Sequence, residues 1–183
     1  MEFIKTPFSG LYVIRHKILQ DDRGLFSRLF CKNEFLEIGF NKEFVQSNFS
    51  FNLKKGTIRG MHFQIPPYAE TKLISCIQGE VYDVAVDLRE GSPTYLNYFG
   101  IELTSLNMHS VLIPEGFAHG FQTLQDNSAL LYQHTQFYTP ESDSGIRFDD
   151  PILNIKWKLP TTMISDKDKS YKLIDNNFKG IRI

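Results

Sequence analysis

Cysteine is scarce in this chain. There are two, Cys31 and Cys76, with no CxxC pair and no Cys/His cluster. A disulfide scaffold and a structural zinc are therefore both unsupported. Net charge is nearly absent as well: 20 Lys and Arg against 21 Asp and Glu leave a formal net charge of -1. No polyanion-binding surface is implied, so neither nucleic acid nor an anionic membrane is expected as a partner. No run approaches the roughly 20 apolar residues that a membrane helix needs. Met1 to Pro7 has no apolar core of the signal-peptide kind, so a cytoplasmic location is expected. Repeats, linkers and low-complexity tracts are missing too. What remains is a chain of 183 residues, 42% hydrophobic and 22% charged, which suits one sizeable core rather than two. A single domain over residues 1–183 is expected.

The dominant pattern has period two. Leu11 to Leu19 (LYVIRHKIL) is apolar and β-branched between turn signals. Glu80 to Leu88 (EVYDVAVDL) puts Tyr82, Val84, Val86 and Leu88 on one face and Val81, Asp83, Ala85 and Asp87 on the other. Ser110–Pro114, Gly120–Leu124 and Ala129–Tyr138 are further strand candidates, separated by Gly, Pro and Asp-Asn turns. Many short strands at regular spacing imply a sandwich or a barrel. Only Asn33 to Phe40 (NEFLEIGF) reads as a helix, short and ended by Gly39. Pro160 to Ile183 is polar, with a weak helical or irregular pattern.

The stretch from Gly56 to Leu73, GTIRGMHFQIPPYAETKL, carries the chemistry. The residues alone leave His62 three roles: metal ligand, catalytic base or packed structural histidine. Strict alternation would put Ile58, Gly60, His62 and Gln64 on one face and Arg59, Met61 and Phe63 on the other. Arg59 then points away from His62, unless a bulge at Gly60 turns it inward.

Gly56, His62, Glu70 and Gly79 resemble the first motif of cupins, which are double-stranded β-helix jelly rolls; Pro114, Gly116 and His119 in PEGFAHGF resemble the second. The resemblance implies an all-β fold: a cupin-type double-stranded β-helix (jelly roll) with short peripheral helices. Metal cupins supply His-x-His, whereas this chain has His62-Phe63-Gln64. A neutral amide is a weaker ligand than imidazole for a transition metal. His62, Gln64, Glu70 and His119 make a poor ligand set, so neither a metal nor another cofactor is expected.

A closer resemblance covers about Leu11 to Asp168. GTIRGMHFQIPP, KLISCIQGEVYDVAVDLREGSPTY, IPEGFAHGFQTL, GIRFDDP, DDRGLF, FVQSN, IKW and SDKD together resemble the dTDP-4-dehydrorhamnose 3,5-epimerases. Membership implies a nucleotide-linked 4-keto-6-deoxy sugar as substrate, a place in deoxysugar and cell-surface polysaccharide synthesis, and a homodimer. Inversion beside a ketone needs a base on one face of the ring, an acid on the other and a group to hold the enolate oxygen. By resemblance His62 is the base, Asp168 its partner, Tyr132 the acid and Lys72 the cation near the enolate. Arg23, Arg59, His119, Gln46, Asn48, Asp143 and Lys167 match substrate-binding positions, and Tyr138 matches a ring that stacks on the base. Asp143 stands where the family usually has Glu. Asp83 is a candidate partner of Lys72.

Arg28 departs from the family pattern, which commonly has Glu at that distance from Arg23. A cation cannot accept a hydrogen bond from the N3–H of thymine. Either the nucleotide carries another base, cytosine or guanine, or the register slips near Ser27. The alternatives to a 3,5-epimerase are a one-centre epimerase on a CDP- or GDP-linked sugar, a metal-dependent cupin isomerase or oxygenase, and a non-catalytic sugar-nucleotide-binding cupin. The opposed base and acid argue against the last, because binding alone requires neither.

Overall fold

The computed structural model describes every residue from Met1 to Ile183. In chain order its elements begin with β1 (Glu2–Lys5), β2 (Tyr12–Arg15), β3 (Ile18–Asp21), β4 (Gly24–Ser27), α1 (Lys32–Leu36) and β5 (Gln46–Asn52). The barrel continues with β6 (Ile58–Gln64), β7 (Lys72–Gln78), β8 (Glu80–Asp87), β9 (Tyr98–Thr104), β10 (His109–Ile113), β11 (Phe117–Thr123) and β12 (Ser128–His134). β13 (Asp143–Gly145) and α2 (Asp166–Ser170) close the list. A six-stranded sheet, ordered β1-β2-β10-β7-β12-β5, faces a five-stranded sheet ordered β13-β6-β11-β8-β9. The result is the expected jelly roll with two short helices.

Alternation along β8 follows the sequence reading, but both faces are buried. Val81 and Ala85 enter the core between the sheets, with Ile74, Leu103, Phe117, Phe121 and Leu130. Tyr82, Val84, Val86 and Leu88 point the other way, beneath a cover made by the C-terminal segment through Leu153, Ile155, Trp157, Phe178 and Ile181. So the irregular tail is the lid that lets a sheet bury its second face. The six-stranded sheet is covered by α1, where Phe35 is fully buried and meets Phe3 and Phe30 edge-on. That helix is shorter than the pattern implied and ends at Leu36, while the chain turns on to Gly39 at φ +80°.

Leu11 to Leu19 is not one strand. It breaks after Arg15, where His16 is buried with its Nε2 2.7 Å from Ser110 Oγ. Beyond that anchor the chain leaves the barrel as the separate β3–β4 hairpin.

The decisive irregularity lies in β6. His62 pairs with His119 and Arg59 with Phe121 across the β6–β11 ladder. Between these pairs two residues of β6, Gly60 and Met61, oppose one of β11, Gly120, which is a bulge. The extra residue cancels the alternation, so Arg59 and His62 share the inner face. The expected face assignment is corrected here, and the bulge is what turns Arg59 inward. Gly60 makes the bulge feasible: its φ is +129°, and a Cβ there would sit 2.5 Å from Gly120 Cα. Replacing Gly60 with Ala combines a left-handed backbone position with a backbone clash. The expected cost is about 3 kcal/mol of unfolding free energy. Urea titration of Gly60→Ala checks this, and a variant as stable as the parent contradicts it.

Candidate active site

Between the two sheets lies a cavity of ≈ 290 Å³ that borders the apolar core at Phe121 and Tyr132. The five-stranded sheet contributes Arg59, His62 and His119, and the six-stranded sheet contributes Asn48, Lys72, Tyr132 and His134. Alternation explains the second group. Lys72 precedes the inward-facing Ile74 and Cys76 by steps of two, and Tyr132 and His134 continue the line of Leu130.

His62 is held from the far end of the chain. Its Nε2 lies 2.7 Å from Asp168 Oδ1, and Asp168 Oδ2 accepts a 3.1 Å hydrogen bond from the Gly60 N–H. Asp168 is itself placed by Ser165, which caps α2 by accepting from the Asp168 N–H at 3.0 Å. Burial alone would raise the Asp168 carboxyl, but the bonds from His62, Gly60 and Ser165 hold it below the usual carboxylate range. An imidazole that donates Nε2–H to this anion keeps Nδ1 as its basic nitrogen. Tyr171 packs edge-on against the His62 ring at 6.0 Å.

Tyr132 faces this dyad from the other sheet. Burial pushes its phenol well above the ordinary value; the Asp83 carboxylate adds to the rise and Arg59 opposes it. Such a phenol stays protonated at neutral pH and has a proton to give. Its ring stands edge-on to His119 and parallel to His134.

Lys72 is 7% exposed. Its Nζ donates to the His62 carbonyl at 3.1 Å and lies 3.3 Å from Glu70 Oε1. Asp83 is not its partner. Asp83 sits on β8 in the opposite sheet and accepts instead from His119 Nε2 at 2.8 Å. Arg59 donates Nε–H to Asn52 at 2.7 Å.

The cavity rim holds Tyr138, Asp143 and Lys167. The Tyr138 hydroxyl donates to Asp143 Oδ2 at 3.3 Å, and Lys167 pairs with the same carboxylate, which raises the lysine above its usual value. Gln46 links rim and floor by accepting from the Tyr138 N–H at 3.0 Å and donating to Asn48 at 3.3 Å. Arg23 and Arg28 are elsewhere. Arg23, on the exposed hairpin, is paired with Asp21, and Arg28 is paired with Glu34. Neither lines the cavity of its own chain.

Gln64 is a structural residue: its amide bonds Tyr68 O, Phe137 O and the Thr139 N–H, tying β6 to the loop after β12. No three His, Cys, Asp or Glu side chains are grouped to ligate a metal. His134 and Glu70 were not assigned a part in the chemistry from sequence, yet they form a buried pair beside Lys72. The period-two step from Tyr132 to His134 is the signal that finds the first of them.

A jelly roll that opposes a carboxylate-held imidazole to a protonated phenol across a polar cavity defines a class, the cupin-type epimerases. Comparison with known proteins narrows it. The family model described as dTDP-4-dehydrorhamnose 3,5-epimerase matches residues 5–176. The dTDP-4-dehydrorhamnose 3,5-epimerase of Shigella flexneri is 40% identical over 180 residues, covering 97% of this chain and 99% of the relative. Among solved structures, the Bacillus anthracis enzyme with TDP and PPi bound superposes with a TM-score of 0.92 at 39% identity, covering 94% of this chain and 99% of that one. The Legionella pneumophila dTDP-6-deoxy-D-glucose-3,5-epimerase in complex with dTDP-4-keto-L-rhamnose gives a TM-score of 0.92 at 40% identity, covering 100% and 98%. The chain belongs to the dTDP-4-dehydrorhamnose 3,5-epimerase family.

The Asp168 carboxylate has a consequence for stability. Its folded pKa lies below its unfolded value of about 3.9. The stability it contributes is therefore complete above that value and is lost as pH falls through the folded one. In Asp168→Asn one amide oxygen remains where two carboxylate oxygens served the His62 ring and the Gly60 N–H. This variant is expected to be less stable than the parent at neutral pH and to lose stability less steeply below about pH 4. Unfolding curves of both proteins across the acid range test this, and parallel slopes overturn it.

Proposed function

We infer that the chain inverts carbons 3 and 5 of a dTDP-linked 4-keto-6-deoxy sugar, an isomerase step in rhamnose and deoxysugar biosynthesis. The observation that carries the reading is the opposition of the His62–Asp168 pair and Tyr132 across one cavity. Both carbons flank the C4 ketone, so removing either proton gives an enolate shared with that oxygen. His62 takes the proton through Nδ1 while Asp168 stabilises the imidazolium that forms. Lys72 holds the enolate oxygen. Tyr132 then delivers a proton to the opposite face, and repetition at the second carbon completes the double inversion. Asn48, Gln46 and His119 orient the sugar, while Arg59, Lys167, Asp143 and Tyr138 take the nucleotide end. Arg28 is paired with Glu34 and lies away from the cavity of its own chain.

His62→Ala is expected to keep the fold and lose about 10²–10⁴-fold in turnover. Tyr132→Phe is expected to continue exchanging substrate hydrogen for deuterium through His62 while inversion at carbon 5 falls sharply. Proton NMR in D₂O with dTDP-4-keto-6-deoxyglucose reads both, with CDP- and GDP-linked sugars as controls. Wild-type inversion by Tyr132→Phe would reduce Tyr132 to a packing residue.

The same reading includes a homodimer. The β3–β4 hairpin exposes Leu19, Leu25 and Phe26 at 54%, 54% and 68%, and the edge strand β5 exposes Phe49 at 65%. An unpaired sheet edge and an exposed apolar hairpin are each pairing surfaces. A second copy satisfies both and carries Arg23 toward a cavity that its own chain cannot reach. A diphosphate suits that guanidinium. Light scattering at micromolar concentration is expected to give the dimer mass, and Phe26→Asp is expected to shift it toward the monomer. A monomeric parent protein would refute the assembly.

A further inference from the structure

One pair of titratable groups, Glu70 and His134, has no part in the reaction just described. Glu70, in the loop between β6 and β7, and His134, at the end of β12, leave 9% of their side chains exposed, as does Lys72. Glu70 Oε2 lies 2.8 Å from His134 Nδ1, and Glu70 Oε1 lies 3.3 Å from Lys72 Nζ. One carboxylate thus bridges two nitrogens. Burial works against its charge, but His134 and Lys72 outweigh that and hold Glu70 below the usual carboxylate range.

The surroundings of His134 are well defined. Its ring is stacked on Tyr132, with centroids 6.0 Å apart and planes 5° from parallel. Its Nε2 lies 3.3 Å from the Asn48 amide nitrogen, and that side chain is uncharged. β7 supplies Lys72 in register with His134. Beyond the Tyr132 ring lie His119 and its partner Asp83, and His62 and Arg59 form the facing wall. In neutral His134, Nδ1–H donates to Glu70 and Nε2 accepts from Asn48. A proton on Nε2 requires the Asn48 amide to present its oxygen instead.

We propose that Glu70 and His134 set the net charge that Lys72 presents to the enolate oxygen, which makes them positioning residues acting through Lys72. The proposal rests on the reading of Lys72 as the group that holds that oxygen. With His134 protonated, the cluster has two cations and one anion, and one positive charge is left over. With His134 neutral, Glu70 cancels Lys72. Uncompensated positive charge in a closed, low-dielectric site stabilises a developing oxyanion more than a neutral cluster does. Turnover therefore declines as His134 loses its proton with rising pH. The His62 dependence has the opposite sign, because a base must be neutral to act. The wild-type profile is expected to be bell-shaped, with its alkaline limb belonging to the coupled Glu70–His134–Lys72 cluster.

Deuterium exchange into dTDP-4-keto-6-deoxyglucose, followed between about pH 5 and pH 9, separates the limbs. Glu70→Gln keeps the shape and removes the anion. With the anion gone Lys72 stays uncompensated even when His134 is neutral, so the alkaline decline is expected to shrink and the variant to exceed the parent by about tenfold at the alkaline end. His134→Gln leaves Glu70 to cancel Lys72 at every pH. It is expected to fall about tenfold at the optimum and to show no alkaline limb. Glu70→Gln combined with His134→Gln is expected to recover the Glu70→Gln rate at the alkaline end, where Lys72 is the one charge left in both. A merely structural pair would instead give parallel losses at all pH values and no recovery in the double variant, which overturns the proposal. Thermal unfolding of each variant monitors the fold, and either single variant decides the question by its profile. Lys72→Met separates the two levels of the argument. If it retains exchange, the Lys72 reading falls and the charge-setting proposal with it. If it is inactive while Glu70→Gln keeps the parental alkaline limb, only the charge-setting proposal falls.

Discussion

The Asp168 carboxylate is the contact on which the site depends. One oxygen faces His62 and the other takes the N–H of Gly60, the residue that allows the bulge in β6. The same anion thus selects the imidazole tautomer and pins the irregular backbone that brings Arg59 and His62 to one wall. A neutral amide could not accept both bonds, and a carboxylate held in any other orientation would serve only one of them. The C-terminal segment that carries Asp168 also seals the outer face of the five-stranded sheet. Packing and chemistry therefore share a single strut.

The jelly roll suits a reaction that needs two faces. Its sheets approach the cavity from opposite sides, so His62 on β6 and Tyr132 on β12 line it from facing walls. The walls differ in character. His62 is tied to a carboxylate and is prepared to accept a proton, whereas burial keeps the Tyr132 phenol in its protonated form. The apolar core below, from Phe8 to Leu130, gives both strands a rigid base, and side-chain placement matters at this scale.

Much of the architecture was legible in the sequence. Period two revealed β8, β10, β11 and β12, and the tail read as irregular is irregular apart from α2. The edge strand β5 and the outer strand β9 escaped notice, because QSNFSFN and YFGIELT mix polar and aromatic residues without a clean apolar face. The break at His16 depends on Ser110, a contact across 94 positions that no local pattern encodes. The resemblance brought together His62, Tyr132, Lys72 and Asp168 at one site. It could not resolve the side on which Arg59 lies, since a bulge is a relation between two strands and only one can be read at a time. Asp83 was expected beside Lys72, but the two belong to facing sheets, and the nearer imidazole of His119 takes the carboxylate. The Glu70–His134 pair spans 64 positions and joins a loop to a strand end, so half of it has no periodic signal at all.

The span of the His62–Asp168 bond, 106 positions, also orders events in time. Every barrel strand is complete by Gly145, well before the carboxylate is added to a growing chain. A polypeptide cut short before Ser165 contains all the strands of the barrel and all the cavity-lining imidazoles, yet it lacks the anion that orients the base. The His62–Asp168 pair is thus complete only once synthesis has passed α2. In a chain clipped before α2 the His62 imidazole stands without its carboxylate partner.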